Sequence, residues 1–302
     1  MSFEADLQIR ATDPSGAFPS RGRSRAMAAT VLSNRQYGLD LARAFGGALI
    51  FAFPLLMTME MWWLGSTITP LRLGVFLALS LPLLFGLSYY AGFRNTHGVV
   101  DDALDAFAAL AVGTITAGVL LMLFGVLRPN DPVSDVMGKL VIQAVPAAIG
   151  ALLARRQLAE GGDPGSDGPD ETNTRDTYTS ELFLMAVGAL FVALNVAPTE
   201  EMILIGYKMS AWHAVALMAL SLGLLHAIVY SLGFAGQHPH ERPWLAFAHF
   251  TVPGYALAML VALYAQWTFG HADGQSVSQL AMTTVVLAFP GALGAGAARL
   301  LV

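Results

Sequence analysis

The sequence predicts an all-α membrane protein of eight transmembrane helices, built as two parallel four-helix repeats. Composition comes first: 55% of the 302 residues are hydrophobic and 12% are charged, with a mean hydropathy of +0.59, against roughly 25% charged residues in a soluble domain. Second, the apolar residues fall into runs of about 20, the length that crosses a hydrocarbon core. Third, the chain matches itself at one fixed offset.

The apolar runs are 42–65, 70–92, 104–127, 135–155, 180–207, 210–234, 243–269 and 278–300. Each is bounded by charge, Pro or Gly, which ends a lipid-embedded helix. Residues 1–40 are polar and hold Arg21, Arg23 and Arg25 among Gly and Ser. They lack a short apolar core with a small-residue cleavage site, so no signal peptide is expected and the segment reads as a disordered arm. Residues 157–178 are rich in Gly, Pro and Asp and form an acidic linker between repeats at 41–156 and 179–302. With eight spans, both termini and the linker share a side. That assignment leaves only Arg72, Arg128, Lys139 and Lys208 on the opposite side, so the positive-inside rule places both termini in the cytoplasm. Lys139 and Lys208 are the only lysines among the 16 basic residues, a bias typical of GC-rich bacterial genomes, and the bacterial inner membrane is the expected location. The basic residues form no stripe, which excludes nucleic acid as a partner. With no Cys there is no disulfide or thiolate metal site.

A shift of 141 residues sets 47–65 (GALIFAFPLLMTMEMWWLG) on 188–206 (GALFVALNVAPTEEMILIG) without a gap. Gly47/Gly188, Ala48/Ala189, Thr58/Thr199, Glu60/Glu201, Met61/Met202 and Gly65/Gly206 are among the identities. The shift continues through 71–93 and 212–234, and 144–155 matches 288–299 at an offset of 144. Because each unit has an even number of spans, the two copies enter the membrane from one side and relate by an axis along its normal. Small residues of the fourth and eighth spans, Ala144, Ala148, Gly291 and Gly294 among them, let backbones approach closely.

The self-match turns an isolated acid into a constellation. A carboxylate within the hydrocarbon costs roughly 2.5–3.5 kcal/mol on insertion scales, so it faces a cavity or a partner. Glu60 and Glu201 occupy equivalent positions, Glu200 adds a third acid, and Thr58 and Thr199 supply hydroxyls. Pro198 lacks an N–H and frees carbonyls near Leu194 and Asn195, while the first copy has Pro54 in register with Asn195. A kink is therefore expected in both copies, at different positions. Carboxylate, hydroxyl and carbonyl oxygens together suit a hard cation or a proton.

Other groupings are weaker. Met57, Met59, Met61 and Met202 offer soft thioethers. His238, His240 and Glu241, with His97, Asp101 and Asp102 in the other copy, could hold a divalent metal from loops. His226 and His249 lie within spans and have no counterparts in the first half. The order Glu200, Glu201, His226, His249 resembles the CAAX-protease-like intramembrane glutamate peptidases, which the resemblance would make an enzyme with about eight helices. Here Ile205 stands in place of the expected Arg and Pro253 in place of the expected Asn, and the histidines lie about 15 Å in depth from Glu201 at 1.5 Å per residue. The stretch APTE looks loosely like the short repeats of cation/calcium exchangers. As a whole, the polar N-terminus, eight spans and PTEE signature are similar to a bacterial family of integral membrane proteins of unknown function.

The expected activity is therefore transport or channelling of a cation or proton through Glu60, Glu200, Glu201, Thr58 and Thr199, with His226, His249 and Asn195 secondary. The alternatives are a glutamate/His peptidase and a non-transporting scaffold or sensor. No cofactor is expected beyond a bound cation, and the expected partners are lipid, the ion, and a second copy of the chain.

Overall fold

Lipid offers no hydrogen bonds, so an apolar run must satisfy its own backbone by coiling into a helix. The computed structural model describes residues 38–39, 41–90, 99–160, 178–232 and 243–301, and no strand occurs among them. In chain order the helices are α1 (Leu41–Leu56), α2 (Met59–Thr67), α3 (Pro70–Tyr90), α4 (Val99–Leu123), α5 (Val133–Glu160), α6 (Tyr178–Val196), α7 (Glu200–Lys208), α8 (Ala211–Leu232), α9 (Pro243–Ala246), α10 (Val252–Thr268) and α11 (Val277–Leu301). A π-helical turn, Phe247–Thr251, joins α9 to α10. Among the described residues seven stretches are long and apolar enough to cross a membrane, and α1 with α2 makes an eighth if that bent pair is one span.

Two expected spans are not continuous. The run 42–65 stops at Leu56 and restarts at Met59 with its axis turned by 85°. The run 180–207 stops at Val196 and restarts at Glu200. Pro198 accounts for the second interruption, since it has no N–H to offer the Leu194 carbonyl. In the first half Pro54 lies within α1, and the chain breaks later, at Met57 and Thr58. Contrary to the sequence expectation, the two breaks therefore fall 141 positions apart although the prolines do not.

The centre belongs to the helices richest in small residues. The spanning parts of α5 and α11 are 72% and 61% buried, against 22% for α8 and 33% for α3. A Cβ on Gly47 of α1 would stand 2.5 Å from the Gly150 carbonyl oxygen of α5, and one on Gly188 of α6 would collide with the Gly294 carbonyl of α11. Likewise a Cβ on Gly65 of α2 would lie 2.5 Å from the Lys139 Cα, and one on Gly206 of α7 3.1 Å from the Thr283 Cα. Each first-half approach has a second-half counterpart, at 141 on the first helix and 144 on the last. The halves meet where Phe51 of α1 packs edge-on against Phe191 of α6, ring centroids 5.1 Å apart.

The α4–α5 connection explains how the chain reverses at the end of the bundle where α2 lies. Gly125 has φ +70 and follows the last turn of α4, where Val126 N–H donates to the Leu121 carbonyl and Gly125 N–H to that of Met122. That pair of bonds is a Schellman closure, and its left-handed residue is best filled by glycine.

Candidate functional site

The breaks put the expected site residues at helix starts instead of inside helices. Thr58 and Thr199 are extended, with φ, ψ of −90, 127 and −77, 140, and each precedes a nine-residue helix. A threonine in this position commonly accepts from the N–H groups ahead of it. Here both hydroxyls donate backward: Thr58 Oγ1 to the Leu55 carbonyl and Thr199 Oγ1 to the Val196 carbonyl, each at 2.8 Å. The first N–H groups of α2 and α7 thus receive no side-chain cap. Glu60 lies in the first turn of α2, and Glu200 and Glu201 in the first turn of α7. There the positive end of the helix dipole favours negative charge, which gives the adjacent carboxylates a local physical reason.

The surroundings differ between the two breaks. Glu60 is half-buried, whereas Glu200 and Glu201 are exposed. Trp62 of α2 reaches back across the first break, its Nε1–H donating to the Leu56 carbonyl at 2.8 Å, so an end-of-helix acceptor is satisfied. Asn195 spends its amide on its own helix, Nδ2 donating to the Phe191 carbonyl at 2.8 Å.

The second break gains a partner that the sequence did not reveal. His271, in the α10–α11 loop, faces the Ala197 carbonyl and senses the charge of Glu200. Burial of the ring pushes its pKa below the usual value, outweighing the carbonyl and the carboxylate, both of which favour the proton. Its Nδ1 is buried and has no hydrogen-bond partner among the described residues. No sequence signal marks this histidine, because its place depends on a loop returning to a break more than 70 positions earlier. The same loop is held by Arg72 of α3, whose guanidinium meets Asp273 at 2.6 Å and lies 5.6 Å from the Trp267 ring. A buried relay follows in the same two helices: Thr283 Oγ1 donates to Gln266 Oε1 at 2.6 Å, Gln266 Nε2 donates to Thr284 Oγ1 at 2.9 Å, and Thr284 Oγ1 donates to the Leu280 carbonyl at 2.6 Å.

The remaining candidates do not join this site. His226 Nδ1 is 3.0 Å from Thr251 Oγ1 in the π-helical turn, and Phe247 packs edge-on against its ring. His249 is exposed, and its carbonyl accepts from the Tyr178 hydroxyl at 2.7 Å. His226 meets Thr251 at the start of α10, whereas Glu200 lies near His271 past the other end of that 17-residue helix, about 25 Å away at 1.5 Å per residue, so His226 is too far for acid–base work with the Glu200–Glu201 pair. The methionines are divided: Met57 and Met59 are exposed, while Met61 and Met202 are buried. Asp101 and Asp102 occupy the first turn of α4, whereas His97, His238, His240 and Glu241 lie outside the described residues. Among the described residues no three His, Asp or Glu side chains converge as a metal site.

Residues 40–302 match the family model described as "Putative integral membrane protein (DUF2391)". The chain belongs to this family. The DUF2391 match spans every helix described above, both breaks included, so the whole bundle is the family's unit. No curated protein and no solved structure matches the chain.

Proposed function

We propose that this DUF2391 protein moves a small cation or proton across the bacterial inner membrane, using the acids at its two helix breaks. One observation carries the reading. Each half interrupts an apolar run at the same offset and starts the next helix with a glutamate at the interruption, Glu60 in one and Glu201 in the other. Broken helices expose backbone groups at membrane depth, which is tolerated where they line a cavity or an ion path. Glu60 and Glu201 act as the principal carriers, Glu200 as a third acid, and the lone pairs left on Thr58 and Thr199 as neutral ligands. His271 joins the second break as a proton partner for Glu200, its neutral form held by burial.

The recurring glycine approaches, Gly47 on Gly150 with Gly188 on Gly294 and Gly65 on Lys139 with Gly206 on Thr283, support two parallel four-helix repeats around an axis along the membrane normal. Both termini then lie in the cytoplasm.

The test is flux into proteoliposomes, with a proton-sensitive dye and with monovalent and divalent cations in turn. Wild type should conduct, Glu60→Gln and Glu201→Gln should each lose most of the flux, and Glu200→Gln should shift its pH dependence. Equal flux from wild type and all three variants would overturn the proposal.

A further inference from the structure

We infer that the first half holds an ordered water in the middle of the membrane, bound by Gln143 of α5 and Thr116 of α4. Gln143 is fully buried, yet neither its Nε2 nor its Oε1 has a hydrogen-bond partner among the described residues. Thr116 is 4% exposed, and its Oγ1 is also unpartnered. A helical threonine ordinarily settles its hydroxyl on the carbonyl a turn earlier, as Thr114 does with Leu110 at 2.7 Å. A buried amide left without partners is expensive, and buried polar groups are satisfied by protein or by water.

The helix register brings these groups together. On α4, Thr116 lies between Gly113, which abuts Ala144 and Ala148 of α5, and Gly118, which meets Leu140. Gln143 lies between those same α5 residues, so the two side chains share a level. Gln143 is also near the midpoint of the Val133–Ala154 span. On α5 it is one turn from Lys139, which packs on Gly65 of α2, and two turns from Gly150, which packs on Gly47 and Phe51 of α1. Counting seven residues along both chains from the Phe51–Gly150 contact sets Gln143 level with Thr58, so the amide lies at the depth of the first break. Pro146 inside α5 removes the helical donor of the Ile142 carbonyl, adding an acceptor beside Gln143.

The donor and acceptor inventory selects the occupant. The amide needs an acceptor for its N–H groups and a donor for its oxygen. A cation would satisfy Oε1 alone and an anion Nε2 alone. Water donates and accepts, and typically makes about three hydrogen bonds when buried. The second half provides the contrast, because Gln266 is equally buried but already bonded to Thr283 and Thr284, so its amide has no call on water. This inference does not rest on ion transport.

The experiment is water-edited solid-state NMR on the full chain in lipid bilayers, labelled at glutamine side-chain nitrogen. Loss of one signal in Gln143→Leu and of another in Gln266→Leu assigns the two amides. Magnetisation from water should reach the Gln143 amide at least several-fold faster than the Gln266 amide, and Thr116→Val should slow it. Equal transfer to Gln143 and Gln266 would overturn the proposal, as would a Gln143 signal indifferent to Thr116→Val.

Discussion

Replacing Gly113 by alanine tests the packing that holds the first half together. A Cβ there would stand 2.5 Å from the Ala144 carbonyl oxygen and 2.7 Å from the Ala148 nitrogen. Both are backbone atoms of the central helix α5 and cannot rotate aside. Ordinary contact needs about 3.5 Å, so α4 and α5 must separate by roughly 1 Å, losing dispersion along their interface. Overpacking of this kind costs about 1–3 kcal/mol, and the better helix propensity of alanine returns at most about 1 kcal/mol. A net loss of about 1–2 kcal/mol corresponds to a Tm lower by roughly 2–8 °C. Gly223→Ala on α8 is the control, because its Cβ would meet nothing within 4 Å and should leave Tm unchanged or raised. The assay is thermal unfolding followed by tryptophan fluorescence in one detergent for all three proteins. If Gly113→Ala melts at or above Gly223→Ala, the close approach of α4 to α5 is refuted.

Three further outcomes follow from the same geometry. Trp62→Phe keeps the aromatic body but loses the Nε1–H bond to the Leu56 carbonyl, and should cost about 1 kcal/mol, read in the same melt. Thr283→Val removes the hydroxyl that donates to Gln266 Oε1 and should cost about 1–3 kcal/mol, whereas replacing Gln266, Thr283 and Thr284 together by Leu, Val and Val should recover most of that loss. For His271, burial lowers the folded pKa below the ordinary histidine value of about 6.5, so the unfolded chain binds the proton better and stability falls as pH drops through about 6.5 toward the folded value. The Tm of wild type relative to His271→Gln should therefore decline between about pH 8 and pH 5, and a flat difference would show that the ring is not held neutral by burial.

The candidate site was partly legible in the sequence. The 141-residue match singled out Thr58, Glu60, Thr199 and Glu201 as one set, and the structure puts all four at helix breaks. The second interruption was legible at Pro198, but the place of the first was not, since Pro54 lies inside α1 without ending it, while Met57 and Thr58, which carry no breaking residue, are where the helix stops. Trp62 reaching back to Leu56 and Gly65 seating α2 on Lys139 hold that turn; a hydropathy window averages the first pair together and never sees the second, whose members lie on different spans.

The sequence by itself determined that this chain is a membrane protein, where its apolar runs lie, and which acids they carry, because partitioning into lipid depends on composition summed over about 20 residues. Tertiary structure alone decided that the first run breaks at Met57 and Thr58, that His271 returns to the second break, and that Gln143 is left without a partner among the described residues while Gln266 is satisfied. Those outcomes depend on which donor meets which acceptor across neighbouring helices, and no property of a single segment encodes that pairing.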